Sequence, residues 1–236
     1  NALYYNASNG VGIRASGGYV SWGVITDLNV ILEDLQISQE STYNALSAGF
    51  GQTGCIARNC IIDQYQSNFG GTGLVTTNWS LLNCVVIYRG GQSGNVVYAA
   101  HAVYFKGCTI VYVGGSPGDR GIRAQYVTVP VIDCVILNVT TPKDATAGGA
   151  FTASYNATTA ASITGSNSLT SLTFSSQVQN VTTDFRTKAT ADLVNAGTPD
   201  SDILKDISDT TRSVTTPTIG CWEIVAGGTT FTRTFT

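Results

Sequence analysis

Apolar residues in this chain come in short bursts, and several bursts fail to alternate with polar ones. In "LLNCVVIYRG" (Leu81 to Gly90), Val85, Val86 and Ile87 are consecutive, so a strand here is apolar on both faces. Nearly the same burst recurs as "ARNCIIDQ" (57–64), "FKGCTIVY" (105–112) and "VIDCVILN" (131–138). An earlier copy, "LEDLQISQ" (32–39), carries Leu35 in the cysteine place. Aligned on Cys60, Cys84, Cys108 and Cys134, which lie 24, 24 and 26 residues apart, the copies share three apolar columns. The first is Leu32, Ala57, Leu81, Phe105 and Val131, the second Leu35 and the cysteines, and the third Ile37, Ile62, Val86, Ile110 and Ile136.

Between the first two columns stands Asp34, Asn59, Asn83, Gly107 or Asp133, residue types that tolerate the left-handed backbone of a sharp bend. Each copy therefore predicts strand, corner, strand. A further short apolar segment precedes most corners: "NALSA" (44–48), "TGLVT" (72–76), "NVVYA" (95–99) and "RGIRA" (120–124). A period near two dozen residues, built of strands with left-handed corners, predicts an all-β solenoid whose coils rise about 4.8 Å each. Equivalent inward side chains then stack on one another, which explains a recurring small apolar thiol. The even count of six cysteines allows disulfides, but a structural period differs from a staple framework, so stacked, reduced and buried thiols are expected. Propeller blades need longer repeats, and leucine-rich repeats a different ladder.

The N-C-x-I rungs resemble right-handed parallel β-helix repeats, the fold of pectate-lyase-like enzymes, tailspikes and many non-catalytic surface and virion proteins. The segment "LVNAGTPDSDILKDISDTTRSVTTPTIGCWEI" (193–224) is similar to the closing signature of secreted bacterial and phage β-helix proteins. Asn195, Gly197, Asp206, Arg212, Pro217, Ile219, Gly220 and Glu223 match it, while Asp209, Cys221 and Trp222 replace its glycine, alanine and tyrosine. The resemblance implies a right-handed parallel β-helix of about six coils over residues 1–165, with a C-terminal cap and terminal strand over 166–236. It makes Asp206, Arg212 and Glu223 structural residues of the closing turn, with Asp206 and Arg212 as a pair.

Composition narrows the function. Only 11% of residues are charged and the net charge is −3, so no basic field meets a phosphate backbone and a nucleic-acid partner is disfavoured. No apolar run approaches the roughly 20 residues of a membrane span. The chain opens at "NALYY" without methionine or leader, as expected of a processed product or an excerpt. Glycosidase chemistry on this scaffold would follow the polygalacturonase-type N-x-D, D-D, G-H-G and R-x-K pattern, whose carboxyl pair protonates the leaving group and activates water. D-D and G-H-G are missing, and the single histidine, His101 in "AAHAVYF", reads as structural. No metal or cofactor is implied, because Asp200, Asp202, Asp206 and Asp209 lack calcium-loop spacing.

Lyase chemistry would need a cationic cluster. Arg58 and Lys106 share a column that Leu82 and Ile132 interrupt, and Arg120 and Arg123 form the densest charged group, able to grip an acidic sugar or to salt-bridge a loop. Tyr88 and Tyr112 share a column four places after the cysteine and are candidate glycan contacts with Arg120 and Arg123.

The outward positions Val85, Ile87, Val111, Val135 and Leu137 form an apolar strip larger than a monomer normally leaves wet. Two covers are open: the chain's own residues 140–192, or a neighbouring copy packed about a three-fold axis. The end "GGTTFTRTFT" (227–236) alternates strictly, so Phe231 and Phe235 belong to an edge strand that finishes its own sheet or joins a partner's. The expectation is a non-catalytic structural or adhesive module of a phage virion surface, as spike, fibre or capsid decoration. Its partners would be other copies of itself, with a trimer favoured, other virion proteins and a surface polysaccharide. The alternative is an extracellular polysaccharide lyase or glycoside hydrolase acting on an acidic glycan.

Overall fold

A computed structural model describes residues 12–15, 31–39, 46–47, 54–64, 75–76, 79–90, 95–99, 103–114 and 118–225. His101, Phe231 and Phe235 lie outside the described residues.

The chain winds as predicted. After β1 (Gly12–Ala15), successive coils contribute β2 (Ile31–Glu33), β3 (Gln36–Gln39) and β4 (Leu46–Ser47), then β5 (Cys55–Arg58), β6 (Ile61–Gln64) and β7 (Val75–Thr76). Next come β8 (Trp79–Leu82), β9 (Val85–Tyr88) and β10 (Asn95–Ala99), followed by β11 (Phe105–Lys106), β12 (Thr109–Tyr112) and β13 (Gly118–Gln125). The last full coil is β14 (Thr128–Ile132), β15 (Val135–Leu137) and β16 (Val139–Thr146), and β17 (Ala150–Ser154) with β18 (Ala157–Thr158) completes the stack. A first sheet runs β1-β3-β6-β9-β12-β15-β18, a second β2-β5-β8-β11-β14-β17, and a third β10-β13-β16, every pairing parallel. The third face is one continuous sheet only at those last three strands, with β4 and β7 paired separately below it. The three-sided solenoid thus amounts to about four turns, slightly fewer than the six expected.

The corner column explains how the chain turns. Asp34, Asn59, Asn83, Gly107 and Asp133 all have left-handed backbone, with φ of 57°, 53°, 54°, 58° and 57°. Each corner amide donates to the following coil, as Asn83 N does to Lys106 O (2.9 Å) and Asp133 N to Ser154 O (3.2 Å). The residue after each cysteine donates in the other direction, as Val85 N does to Cys60 O (2.9 Å). A sixth corner escapes the sequence pattern: Tyr155 adopts φ 53°, and Asn156 takes the cysteine place.

All six cysteines are free and buried, and Cys60, Cys84, Cys108 and Cys134 stack in the interior as expected. Each thiol donates to the carbonyl two residues before it, at 3.2–3.3 Å. The Cys60 amide reaches the sulphur of Cys84 (3.4 Å), so the side chain above helps satisfy the amide below. Where the stack ends, the interior turns polar. Asn156 accepts from the Cys134 amide (3.0 Å) and donates to Val131 O (2.8 Å). Register places Thr158 above Ile136 and Lys143 above Ile122. The Lys143 ammonium lies 5.5 Å from the Phe151 ring centre and donates to Thr164 O, while burial pushes its pKa down to about 8. Beyond this level the ladder continues, among the described residues, only as single parallel bridges, Ser154 to Ser166 and Ala157 to Leu169.

The apolar outer strip is covered by the chain itself. Ile61, Val85, Ile87, Val111, Val135 and Leu137 form one buried cluster with Val178, Phe185, Leu193, Ile207, Ile219 and Trp222. The cover includes a hairpin, β19 (Val178–Asn180) with β20 (Asp184–Thr187), and the irregular closing segment after it. Val85, Ile87, Val111, Val135 and Leu137 are therefore not an intersubunit interface: none is more than 1% exposed within one chain. The cover comes from further along the chain than 140–192 alone, because residues 139–158 still belong to coils. Gly220 shows how close the layers approach: a Cβ there would stand 2.8 Å from Val135 Cγ2 and from Thr109 Oγ1.

Candidate functional site

The outward face of the third sheet holds the candidate binding residues. Parallel register lines up Tyr98, Arg123 and Asp144 on three successive strands, with Arg120 two positions from Gly118 at the start of β13. Equivalent positions of a parallel sheet point the same way, so the three form an outward ladder. The Arg123 guanidinium lies 5.9 Å from the Tyr98 ring centre. Its Nε donates to Thr146 Oγ1 (3.2 Å) and stands 3.9 Å from Asp144 Oδ2, which the Nε of Arg120 approaches to 2.7 Å. Tyr98 donates its hydroxyl to Gln125 Oε1, which fixes the ring beside the arginine. One carboxylate thus serves two arginines, and the terminal nitrogens of Arg123 bond to nothing among the described residues. An aromatic face, an open guanidinium and fixed hydroxyl and amide groups can hold a polar, anionic ligand without chemistry.

The tyrosines expected to extend this platform do not belong to it. Tyr88 and Tyr112 are each 3% exposed and their rings pack together inside the solenoid, 5.8 Å between centres. They lie four places after a cysteine, an even offset, so they share the thiols' inward face. The Tyr112 hydroxyl donates to Gly90 O (3.0 Å), and burial pushes both phenols up.

The remaining charges hold the molecule together. Arg58 pairs with Glu33 (3.0 Å), and Lys106 reaches from the second sheet to Asp200 (3.0 Å) and Asp202 (2.8 Å) of the cover. Arg89 binds Asp63 (2.8 Å) and donates to Thr182 O in the hairpin turn (3.1 Å). An R-x-K triplet is present at Arg186-Thr187-Lys188 within the cover, where Arg186 is held by Asp184 and Lys188 by the Ser175 carbonyl.

The deepest charged cluster joins solenoid to cover. Arg212 pairs with the corner residue Asp133 (2.9 Å) and donates to Gly220 O (2.6 Å) and Thr218 O, with Glu223 3.9 Å away. Asp206 was expected to pair with Arg212. It instead accepts from Ser208 N (2.8 Å), Thr210 N (2.7 Å) and Glu223 N (2.9 Å), shaping the loop that presents the arginine. Asp206, Arg212 and Glu223 bond to one another's loops at this junction, and the acid that meets the arginine lies 79 residues earlier.

Among the described residues no group of three or more His, Cys, Asp or Glu is arranged to hold a metal ion. No described helix is long and apolar enough to cross a membrane. Comparison of the chain with known protein families, curated proteins and solved structures gave no match.

Proposed function

We propose that this chain is a non-catalytic structural and adhesive module of a phage virion surface, as spike, fibre or capsid decoration, related to the pectate-lyase-like and tailspike-like β-helices. The observation that carries this reading is the division of labour among its charges. Arg58, Lys106, Asp133, Asp206, Arg212 and Glu223 all brace the fold, whereas the guanidinium end of Arg123, beside Tyr98 on the third sheet, has no bond among the described residues. A lyase would need its cations to converge. Here Arg58 and Lys106 stand on the second sheet, and Arg120 and Arg123 on the third.

In this reading the third face is where the module meets a surface polysaccharide, and the closing-signature resemblance supplies the virion setting. The apolar strip no longer argues for subunit packing, so the oligomer, a trimer by expectation, rests on the alternating terminal segment with Phe231 and Phe235. Incubation with polyuronate and with a neutral glucan, followed by a pull-down and an assay for unsaturated uronides, tests the reading. Binding to the polyuronate that is lost in Arg123→Ala, without product release, supports it; product release overturns it. Light scattering of the intact chain tests assembly: a trimer supports that part, and a monomer removes it.

A further inference from the structure

We propose that the junction between the solenoid and its C-terminal cover is a pH-operated latch, closed in acid and loosened as the solution approaches neutrality. It stands apart from the adhesive face and concerns the cluster at the Asp133 corner.

The argument begins with a charge count. Asp133, Asp206 and Glu223 are buried together with a single guanidinium, Arg212, all at most 8% exposed. Fully ionised, three carboxylates against one arginine leave excess negative charge where water cannot screen it, which burial strongly disfavours. Hydrogen bonds decide which acid is held least firmly as an anion. Asp206 accepts from two Ser208 donors, Thr210 N and Glu223 N, all within 2.9 Å. Glu223 accepts from Thr218 N at 2.9 Å and Ser213 N at 3.4 Å. Asp133 relies on Arg212 at one oxygen, while among the described residues its other oxygen accepts from the Thr198 amide alone, at 3.3 Å.

Asp133 is also where the two layers meet. A Cβ on Gly197 would stand 2.3 Å from Asp133 Oδ1, and Gly220 N donates to Asp133 O (3.0 Å). Opening the cover exposes Asp133, Arg212 and Glu223 to water together.

Burial pushes Asp133 up from the ordinary carboxylate value of 3.8 to about 7, with Glu223 and Asp200 adding to the rise and Arg212 and the Thr198 amide opposing it. Asp206 and Glu223 are shifted upward too, chiefly by burial. The other charged or titratable groups facing this junction are Asp200 and Asp202 with Lys106, and the thiols of Cys134 and Cys221. Asp202 is shifted the opposite way by Lys106, but it is exposed and its contribution is screened by solvent.

The direction follows from linkage. A carboxylic acid raised in the closed form binds a proton there that the open form releases. Closing is therefore most favourable below 3.8 and is lost as pH rises towards about 7. Within that window the opening constant grows by up to about tenfold per pH unit.

Hydrogen exchange of the intact chain, read by mass spectrometry at about pH 5 and pH 7 and corrected for intrinsic rates, tests the latch. The expected result is at least about a tenfold larger opening constant at the higher pH across residues 197–222, with the strands of the third sheet unchanged. Asp133→Asn should remove most of that difference, with Asp206 and Glu223 leaving a smaller remainder. An opening constant that does not change with pH, that rises towards acid, or that keeps its full dependence in Asp133→Asn overturns the proposal. Should the variant not fold, carbon NMR of the native Asp133 carboxyl decides: a midpoint well above the ordinary carboxylate range supports the latch, and an ordinary one overturns it.

Discussion

Val85 and Val86 are neighbours in one strand and equally buried, at 0%, yet what covers them differs in kind. Val86 points into the solenoid, between Ile62 below and Ile110 above, so its surroundings repeat with every coil. Val85 points outward and is covered by irregular chain, including Ile219 and Trp222, that lies more than a hundred residues later. The inner environment is generated by the repeat itself. The outer one depends on non-periodic residues and on a few specific polar bonds, among them the buried ion pair of Arg212 with Asp133 and the bond from Cys221 N to Thr109 Oγ1. A stacked repeat therefore fixes its own core locally, while its flank depends on long-range contacts.

The largest expected effect comes from breaking the outer means of cover. Arg212→Met should lower unfolding stability by about 3–5 kcal/mol, because Asp133 and Glu223 lose their cation while still buried. Denaturant titration checks the magnitude, and early exchange confined to the cover would show that the flank fails before the core. Paired truncations sharpen the contrast. Ile87→Ala on the outer face and Ile110→Ala inside should each cost about 2–5 kcal/mol. A nearly neutral Ile87→Ala would mean that the flank is open to solvent.

How much of this was legible beforehand also divides along that line. The inner columns could be read from the chain because a cysteine every two dozen residues, preceded by Asn, Asp or Gly, marks both the repeat and its bend. The last corner could not, because Tyr155 breaks the small-residue rule and Asn156 replaces the thiol. There Asn156 Oδ1 accepts from the Cys134 amide (3.0 Å), as the Cys84 sulphur does from the Cys60 amide (3.4 Å). The strip of Val85, Ile87, Val111, Val135 and Leu137 was visible as needing a cover, but periodicity cannot say which distant segment supplies it. The inward place of Tyr88 and Tyr112 was recoverable from parity with the cysteines. The pairing of Asp133 with Arg212 was not, since a salt bridge spanning 79 residues leaves no local pattern. On the third face, Arg120 and Arg123 were visible as a charged group, whereas the alignment of Tyr98 and Asp144 beside Arg123 needed the strand register.

Smaller effects probe the corners. Asn83→Ala should cost about 1–2 kcal/mol, since alanine must adopt φ 54° and the bonds to Asn59 Oδ1 (2.7 Å) and Lys205 O (3.2 Å) are lost. Asn83→Gly should lose less, because glycine accepts the bend, and thermal unfolding of the pair separates strain from hydrogen bonding. Least of all, Arg58→Ala should shift stability by no more than about 1 kcal/mol, because its bond to Glu33 is exposed to solvent.

The central claim is that one chain covers its own apolar flank, and isotope-filtered NMR tests it most directly. In a sample of labelled chains diluted into excess unlabelled chains, NOEs between the Val135 methyl groups and Gly220 should persist at full strength per labelled chain. Their transfer to labelled–unlabelled pairs would show that the cover comes from a neighbouring copy and would contradict the account.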